Sequence, residues 1–485
     1  PSLRKAAGRA AADRGHPGKY AITLARSSIE PFLTYSDRRD LREQAFNAWI
    51  SRGTNGGETD NRAIIVETLK LRDERAKLLG FADFADFKLD DTMARKPAAV
   101  RALLDEVWAP GLARARRERD ELQALLSAEG GNFTLAAHDW RYYAEKVRKE
   151  RHDLDDAELK PYLALDNVID AAFYTANRLF GVTFVERRDL PVYHPDVRAF
   201  EVRDRDGSLV AIFYGDYFAR SSKRSGAWMS SFRGQEKLAG DIRPIVVNVM
   251  NFARAAEGEP SLLNFDDART LFHEFGHALH GMLSDVTYPS VAGTSVERDF
   301  VELPSQLFEH WFLQPDILRR FARHVETGNP MPEDLIERVL GARNFGQGFA
   351  TVEYCASAIL DMDFHTSAAG DLDVDAFERA SLSRIGMPAE IAARHRPGHF
   401  LHVFSSGGYA AGYYSYLWSE VLDADAFAAF EETGDAFDRQ VADRLRREIY
   451  AAGGKRPADD AYRAFRGRLP TAEALLEKRG LAEGT

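Results

Sequence analysis

One stretch limits what this chain can fold into more than any other: Leu271-Phe-His-Glu-Phe-Gly-His-Ala-Leu-His280. Within it His273, Glu274 and His277 form the H-E-x-x-H pattern. Apolar residues at Leu271, Phe272, Phe275, Ala278, Leu279, Met282 and Leu283 give a broad helical surface, and Asn264 or Asp266 is placed to cap the start. Histidines four apart on a helix lie about 40° apart around its axis and one turn apart along it. Both imidazoles then reach one metal ion at roughly 2.0–2.1 Å. Glu274 follows the first histidine, so its carboxylate addresses water beside the metal and can take up and return a proton. The alternative, a core helix with two histidines by accident, leaves buried polar groups without partners, which folded chains avoid.

Catalytic zinc takes three protein ligands and keeps one position open. His280 shares a face with His273 but sits roughly 10 Å along the axis from it, so it reads as a core or outer residue. Position 283, which holds a third histidine in one extended form of the motif, is Leu283. Downstream carboxylates remain: Asp285, Glu297, Asp299, Glu302 and Glu309. Asp285 follows the helix too closely to fold back. Glu302 is set among Phe300, Val301, Leu303, Leu307, Phe308, Trp311 and Phe312, where a carboxylate needs a positive partner, and a metal is one. Pro304 suits the first turn of a helix. Glu309, seven residues on, shares the face of Glu302 and is placed to hydrogen-bond a ligand.

At 485 residues the chain calls for one large body or two closely packed lobes. Its 75 acidic and 64 basic residues give a net charge of −11, which argues against a nucleic-acid partner. The run Arg114-Ala-Arg-Arg-Glu-Arg119 is interleaved with acids and reads as a solvated helix face. The single cysteine, Cys355, allows no disulfide within the chain and reads as a small buried apolar residue. No apolar run reaches 18 residues, and Pro1 opens a polar segment without the apolar core of a signal peptide. A cytoplasmic monomer with no membrane partner is the expectation.

Helical periodicity dominates the first half, over 31–52, 62–79, 98–127 with an interruption at Pro110, 136–151 and 166–180. Residues 19–24 alternate weakly, as a short strand would. Phe81, Phe84 and Phe87 read as a core stripe. The period then changes. Strands are expected at 192–194, 198–203, 209–214 and 245–250, with Asp206-Gly207 as a hairpin turn. Helices resume after the H-E-x-x-H segment, including 300–313, 351–366, 374–385 and 410–422. A small sheet thus precedes the metal helix, and an edge strand there can pair with an extended peptide.

Four blocks resemble the thimet oligopeptidase and peptidyl-dipeptidase family of zinc peptidases. They are Thr270-Leu-Phe-His-Glu-Phe-Gly-His-Ala-Leu-His280, Gly293-Thr-Ser-Val-Glu-Arg-Asp-Phe-Val-Glu-Leu-Pro-Ser-Gln306, Gly408-Tyr-Ala-Ala-Gly-Tyr-Tyr-Ser-Tyr-Leu-Trp418 and Tyr214-Gly-Asp-Tyr-Phe-Ala-Arg-Ser-Ser-Lys-Arg-Ser-Gly-Ala-Trp228. The wording is nearest to the peptidyl-dipeptidase branch. The resemblance implies a mainly α, two-lobed zincin-type metallopeptidase with a small β-sheet beside the active-site helix. It implies one zinc ion held by His273, His277 and Glu302, with Glu274 as base. It further implies a glycine-rich loop ahead of tyrosines that face the metal: His402, Tyr409 and Tyr416 in catalysis, and Gly407, Gly408 and Tyr413 in substrate binding.

Phenol and imidazole donors are what a tetrahedral oxyanion requires, and steps of four and three residues put Tyr409, Tyr413 and Tyr416 on one helix face. Tyr414 reads as core. The stretch from His402 to Tyr409 is longer than in the thimet oligopeptidase branch. Relatives carry a further helical region ahead of the point where this chain begins, so residues 1–165 read as a shortened helical wall and 166–485 as the catalytic region. The expected partners are short peptides, with dipeptides released from their C-termini. Two alternatives stand beside this: an endo-acting oligopeptidase of the same family, and a truncated form that holds zinc and peptide without turnover.

Overall fold

The computed structural model describes residues 2–482 except Ser221, Ser225, 256–257, 368–369 and Asp371. The fold is mainly α with one small mixed sheet. Two compact units are interleaved along the chain. The first comprises Pro1–Asp153, Asn344–Tyr414 and Leu476–Thr485; the second comprises Leu154–Arg343 and Ser415–Leu475.

Among its described residues the first unit is helical. Its longest element, Pro97–Ala128, packs along Gln347–Thr366. The break expected at Pro110 does not occur. An interior proline costs about 3 kcal/mol, but here the helix is held from outside. A Cβ on Gly111 would come within 2.6 Å of the Thr351 side chain, and one on Gly348 within 2.3 Å of the Ala115 backbone. These two glycines let the helices touch, and Val100, Leu104, Val107 and Ala115 of the longer helix are buried. The single helix expected over 31–52 is two, Arg26–Tyr35 and Arg39–Ile50. Between them the Ser36 carbonyl accepts from Arg42, whose other nitrogen pairs with the buried Asp139 at 3.0 Å. Residues 19–24 form no strand, for they lack a neighbour to complete the ladder. Phe81 and Phe87 meet edge-on, Phe84 is buried beside them, and Cys355 is fully buried.

The second unit is built around the sheet β1 (Thr183–Glu186), β2 (Arg198–Arg203), β3 (Leu209–Phe218), β4 (Trp228–Arg233) and β5 (Ile245–Phe252). Its spatial order is β1-β2-β3-β5-β4; β3 and β5 run parallel and the other neighbours antiparallel. The β2–β3 hairpin turns at Gly207, whose φ of 84° is open to glycine at no steric cost. β1 and β4 were not expected, and the strand expected at 192–194 is absent. There the chain is drawn into a loop in which the Tyr193 hydroxyl donates to Asp216 at 2.8 Å.

Helix α1 (Leu165–Phe180), stopped by Gly181 in the left-handed region, and helix α2 (Phe265–Met282) lie against this sheet. Phe173, Phe184, Phe213 and Phe275 join α1, β1, β3 and α2 in one aromatic wedge, with ring centroids 4.1–6.3 Å apart. Burying each such ring is worth about 1.5–3 kcal/mol. Helix α3 (Leu303–Phe312) packs on α2, and helix α4 (Ser415–Glu431) packs on α3. Among the described residues no helix is long and apolar enough to cross a membrane.

Candidate active site

Three contacts place α2. Asn264 caps it, accepting from the Asp267 amide at 2.7 Å, which is worth about 1 kcal/mol. Asn248, the one polar residue inside the run Ile245-Val-Val-Asn-Val-Met250, donates from β5 to the Glu274 carbonyl at 2.8 Å. On the opposite side a Cβ on Gly276 would lie 2.6 Å from both the Pro304 carbonyl oxygen and the Ser305 Cα. The glycine between Phe275 and His277 is thus what lets α3 come close enough for Glu302, at its N-terminal end, to reach both histidines.

Nε2 of His273 and Nε2 of His277 converge on one oxygen, Oε2 of Glu302, at 3.3 and 3.0 Å. The three donor atoms lie within 4.8 Å of one another. His273 Nδ1 is held by Glu309 at 2.6 Å; a carboxylate only accepts, so Nδ1 carries a hydrogen and Nε2 is the nitrogen turned toward Glu302. The histidine rings stand nearly perpendicular, 5.0 Å apart. Burial alone would push His273 down, but its bonds to Glu302 and Glu309 outweigh that and hold it well above the ordinary imidazole value. Burial likewise raises Glu302, and the histidines more than reverse it, holding the carboxyl well below its ordinary range. Two imidazole nitrogens and one carboxylate oxygen, with an outer carboxylate orienting a ligand ring, form a donor set that suits zinc or a similar divalent ion.

Glu274 is 6 % exposed, and burial raises its pKa. Its Oε2 is buried without a hydrogen-bond partner among the described residues. A carboxylate oxygen in that position is free to hold a proton.

His280 is fully buried, has no partner at either nitrogen among the described residues, and is driven by burial to a pKa of about 3. It is a neutral core residue outside the ligand cluster. Asp285 pairs with Lys237, and Glu297 accepts from the Ala458 amide at 2.8 Å.

Tyr416 lies on α4, in the same unit as the His-His-Glu cluster. Gln306, one turn beyond Glu302 on α3, donates to its carbonyl at 3.0 Å. This link went unread in the sequence. His402, Gly407, Gly408, Tyr409 and Tyr413 belong to the first unit. The helix expected over 410–422 begins only at Ser415, because Ala411 has a φ of 52° and the chain turns there. Tyr409, Tyr413 and Tyr416 therefore do not share a helix face. Within the first unit the His402 ring lies 5.9 Å from that of Tyr409 and 5.4 Å from that of Tyr413. Burial pushes the Tyr413 phenol up to about 12. Tyr414 is buried, as a core residue should be.

The profile of peptidase family M3 matches residues 32–481. The chain belongs to this family. A dipeptidyl carboxypeptidase of Salmonella typhimurium is 42% identical over 486 residues, covering 99% of this chain and 71% of the relative. Oligopeptidase A of Escherichia coli is 37% identical over 491 residues, covering 99% and 72%. Among solved structures, PZ peptidase A with an inhibitor is similar in fold, with a TM-score of 0.54 at 15% identity, over 99% of this chain and 74% of that one.

The M3 chain is a metallopeptidase, and peptides are its substrates. In the block 214–228, Arg220 and Lys223 pair with one carboxylate. Arg220 holds both oxygens of the buried Asp216 at 2.7 and 2.6 Å, and Lys223 reaches the same carboxylate at 2.9 Å. Arg224 stacks on Trp228.

Proposed function

We propose that this M3 metallopeptidase holds one zinc ion between His273, His277 and Glu302 and releases dipeptides from the free C-termini of short, unstructured peptides. The observation that carries the metal assignment is the convergence of two imidazole nitrogens on a single Glu302 oxygen. The 42% identity to a dipeptidyl carboxypeptidase supports the cleavage mode. Zinc bound there supplies Lewis acidity toward a peptide carbonyl and makes water a stronger acid.

Glu274 takes a proton from the attacking water on its unpartnered Oε2 and delivers it to the departing amine nitrogen. His273 is kept in one tautomer by Glu309, so its ligating nitrogen never needs to reorient. β4 is an outer strand, and its free side can pair with an extended peptide main chain. On the family resemblance, His402, Tyr409 and Tyr416 donate to the oxyanion that develops on the substrate, and Tyr413, Gly407 and Gly408 bind the chain around it.

Two experiments test this reading. Mass spectrometry of products from a free-acid peptide and its amidated twin is expected to show successive loss of dipeptides from the free acid and little cleavage of the amide. Equal cleavage of both into other fragments would leave an endo-acting oligopeptidase. Tyr409→Phe and Tyr416→Phe are each expected to lower kcat by about 10²–10³-fold while shifting KM little, since such donors act on charge that exists only in the transition state. A change in KM alone would make both tyrosines substrate-binding groups.

A further inference from the structure

The turn that carries Tyr409 and Tyr413 is irregular, and Ala411 within it occupies the left-handed region that disfavours a side chain. Something outside the turn must hold it there. The structure shows what does. Asp361, on the helix Gln347–Thr366, is fully buried. Its Oδ1 accepts from the Ala411 amide and its Oδ2 from the Tyr413 amide, both at 2.9 Å. One carboxylate thus straddles Gly412 and fixes the amides on either side of it.

The same residue continues into a relay. His365, one helical turn on and 2 % exposed, places Nδ1 3.0 Å from Asp361 Oδ1 and 2.8 Å from the Asp361 carbonyl oxygen. Its Nε2 lies 3.0 Å from a guanidinium nitrogen of Arg72. A guanidinium can only donate, so Nε2 is bare and the hydrogen sits on Nδ1. His365 thus accepts from Arg72 at one nitrogen and donates from the other to the Asp361 carbonyl, with the Asp361 carboxylate alongside. The other terminal nitrogen of Arg72 donates to the carbonyls of Val403 at 2.7 Å and Ser406 at 3.2 Å. Phe84 and Phe404 flank the guanidinium at 5.4 and 5.7 Å.

We infer that Arg72, His365 and Asp361 form a clamp that positions the 403–413 segment, and with it His402, Tyr409 and Tyr413, for the reaction. Arg72 grips the segment before the Gly407-Gly408 pair, and Asp361 grips it after. The glycines resist bending least of all residues, so both ends must be fixed if the Tyr409 phenol is to hold one place. The three are positioning residues that act through the tyrosines, and the inference rests on the catalytic reading of Tyr409 given above.

Asp361→Asn turns one acceptor oxygen into a donor facing an amide. Arg72→Lys keeps the charge but cannot reach the imidazole and two carbonyls at once. In both variants amide hydrogen exchange across 403–413 is expected to quicken about 10–10²-fold. Metal content is expected to stay at the wild-type level, and kcat to fall about 10²-fold with KM little changed, the effect of a misplaced donor. If Asp361→Asn does not fold, Arg72→Lys decides the question. Unchanged exchange in folded variants overturns the clamp. So does faster exchange with wild-type kcat while Tyr409→Phe is impaired, and the catalytic reading then stands. If Tyr409→Phe itself keeps wild-type kcat, that reading falls and the clamp's catalytic role falls with it.

Discussion

Glu274→Gln is expected to retain metal at the wild-type stoichiometry and to lose turnover by about 10⁴-fold, the upper end for a positioned acid–base group. The amide has nearly the shape of the carboxylate, and the Glu274 side chain is not among the three converging donors. What is removed is the ability to accept a proton at Oε2. One carboxylate serves both proton transfers in the proposed cycle, so no other group substitutes for half of the work. Inductively coupled plasma analysis and single-turnover kinetics on the same sample separate the two quantities. Joint loss of metal and turnover would make Glu274 a ligand; retention of both would remove it from the chemistry.

Glu302→Ala is expected to act in the reverse way, through the metal. Two histidines remain, but the oxygen on which both converge is gone. Loss of an outer partner such as Glu309 typically weakens metal binding by about 10–100-fold. Loss of Glu302, as an inner ligand, is expected to exceed that, so that metal is stripped by a chelator that leaves Glu309→Ala partly loaded. The Ala variant also leaves two half-buried imidazoles facing each other without the carboxylate, so thermal unfolding should shift downward as well. Metal affinity of Glu302→Ala equal to that of Glu309→Ala would reject the assignment of the third ligand.

How far the sequence was legible depended on the range of the forces involved. The His-His-Glu cluster lies on two helices whose faces follow from a 3.6-residue period, so the meeting of His273, His277, Glu302 and the neighbouring Glu309 was readable from spacing and apolar surroundings. The small sheet ahead of α2 was readable from the branched run at Ile245–Phe252 and the Asp206-Gly207 turn. β4 was not, because Trp228–Arg233 is mostly exposed and shows no inward alternation. The Tyr409–Tyr414 turn was not, because its course depends on Asp361, some 50 positions earlier. Pro110 misled for the same kind of reason: Gly111 and Gly348 bring a second helix against it from far along the chain. The return of the chain to the first unit at Asn344 carries no change in composition at all.

Stepwise reconstitution tests the central claim most directly. The protein is stripped with a chelator, and zinc is added back while hydrolysis of a free-acid oligopeptide is followed. A single divalent ion at His273, His277 and Glu302 predicts that activity is absent at the start, rises linearly, and saturates at one equivalent per chain, with Glu302→Ala failing to recover at that dose. Hydrolysis that persists in the chelated protein, or full recovery of Glu302→Ala at one equivalent, would contradict it.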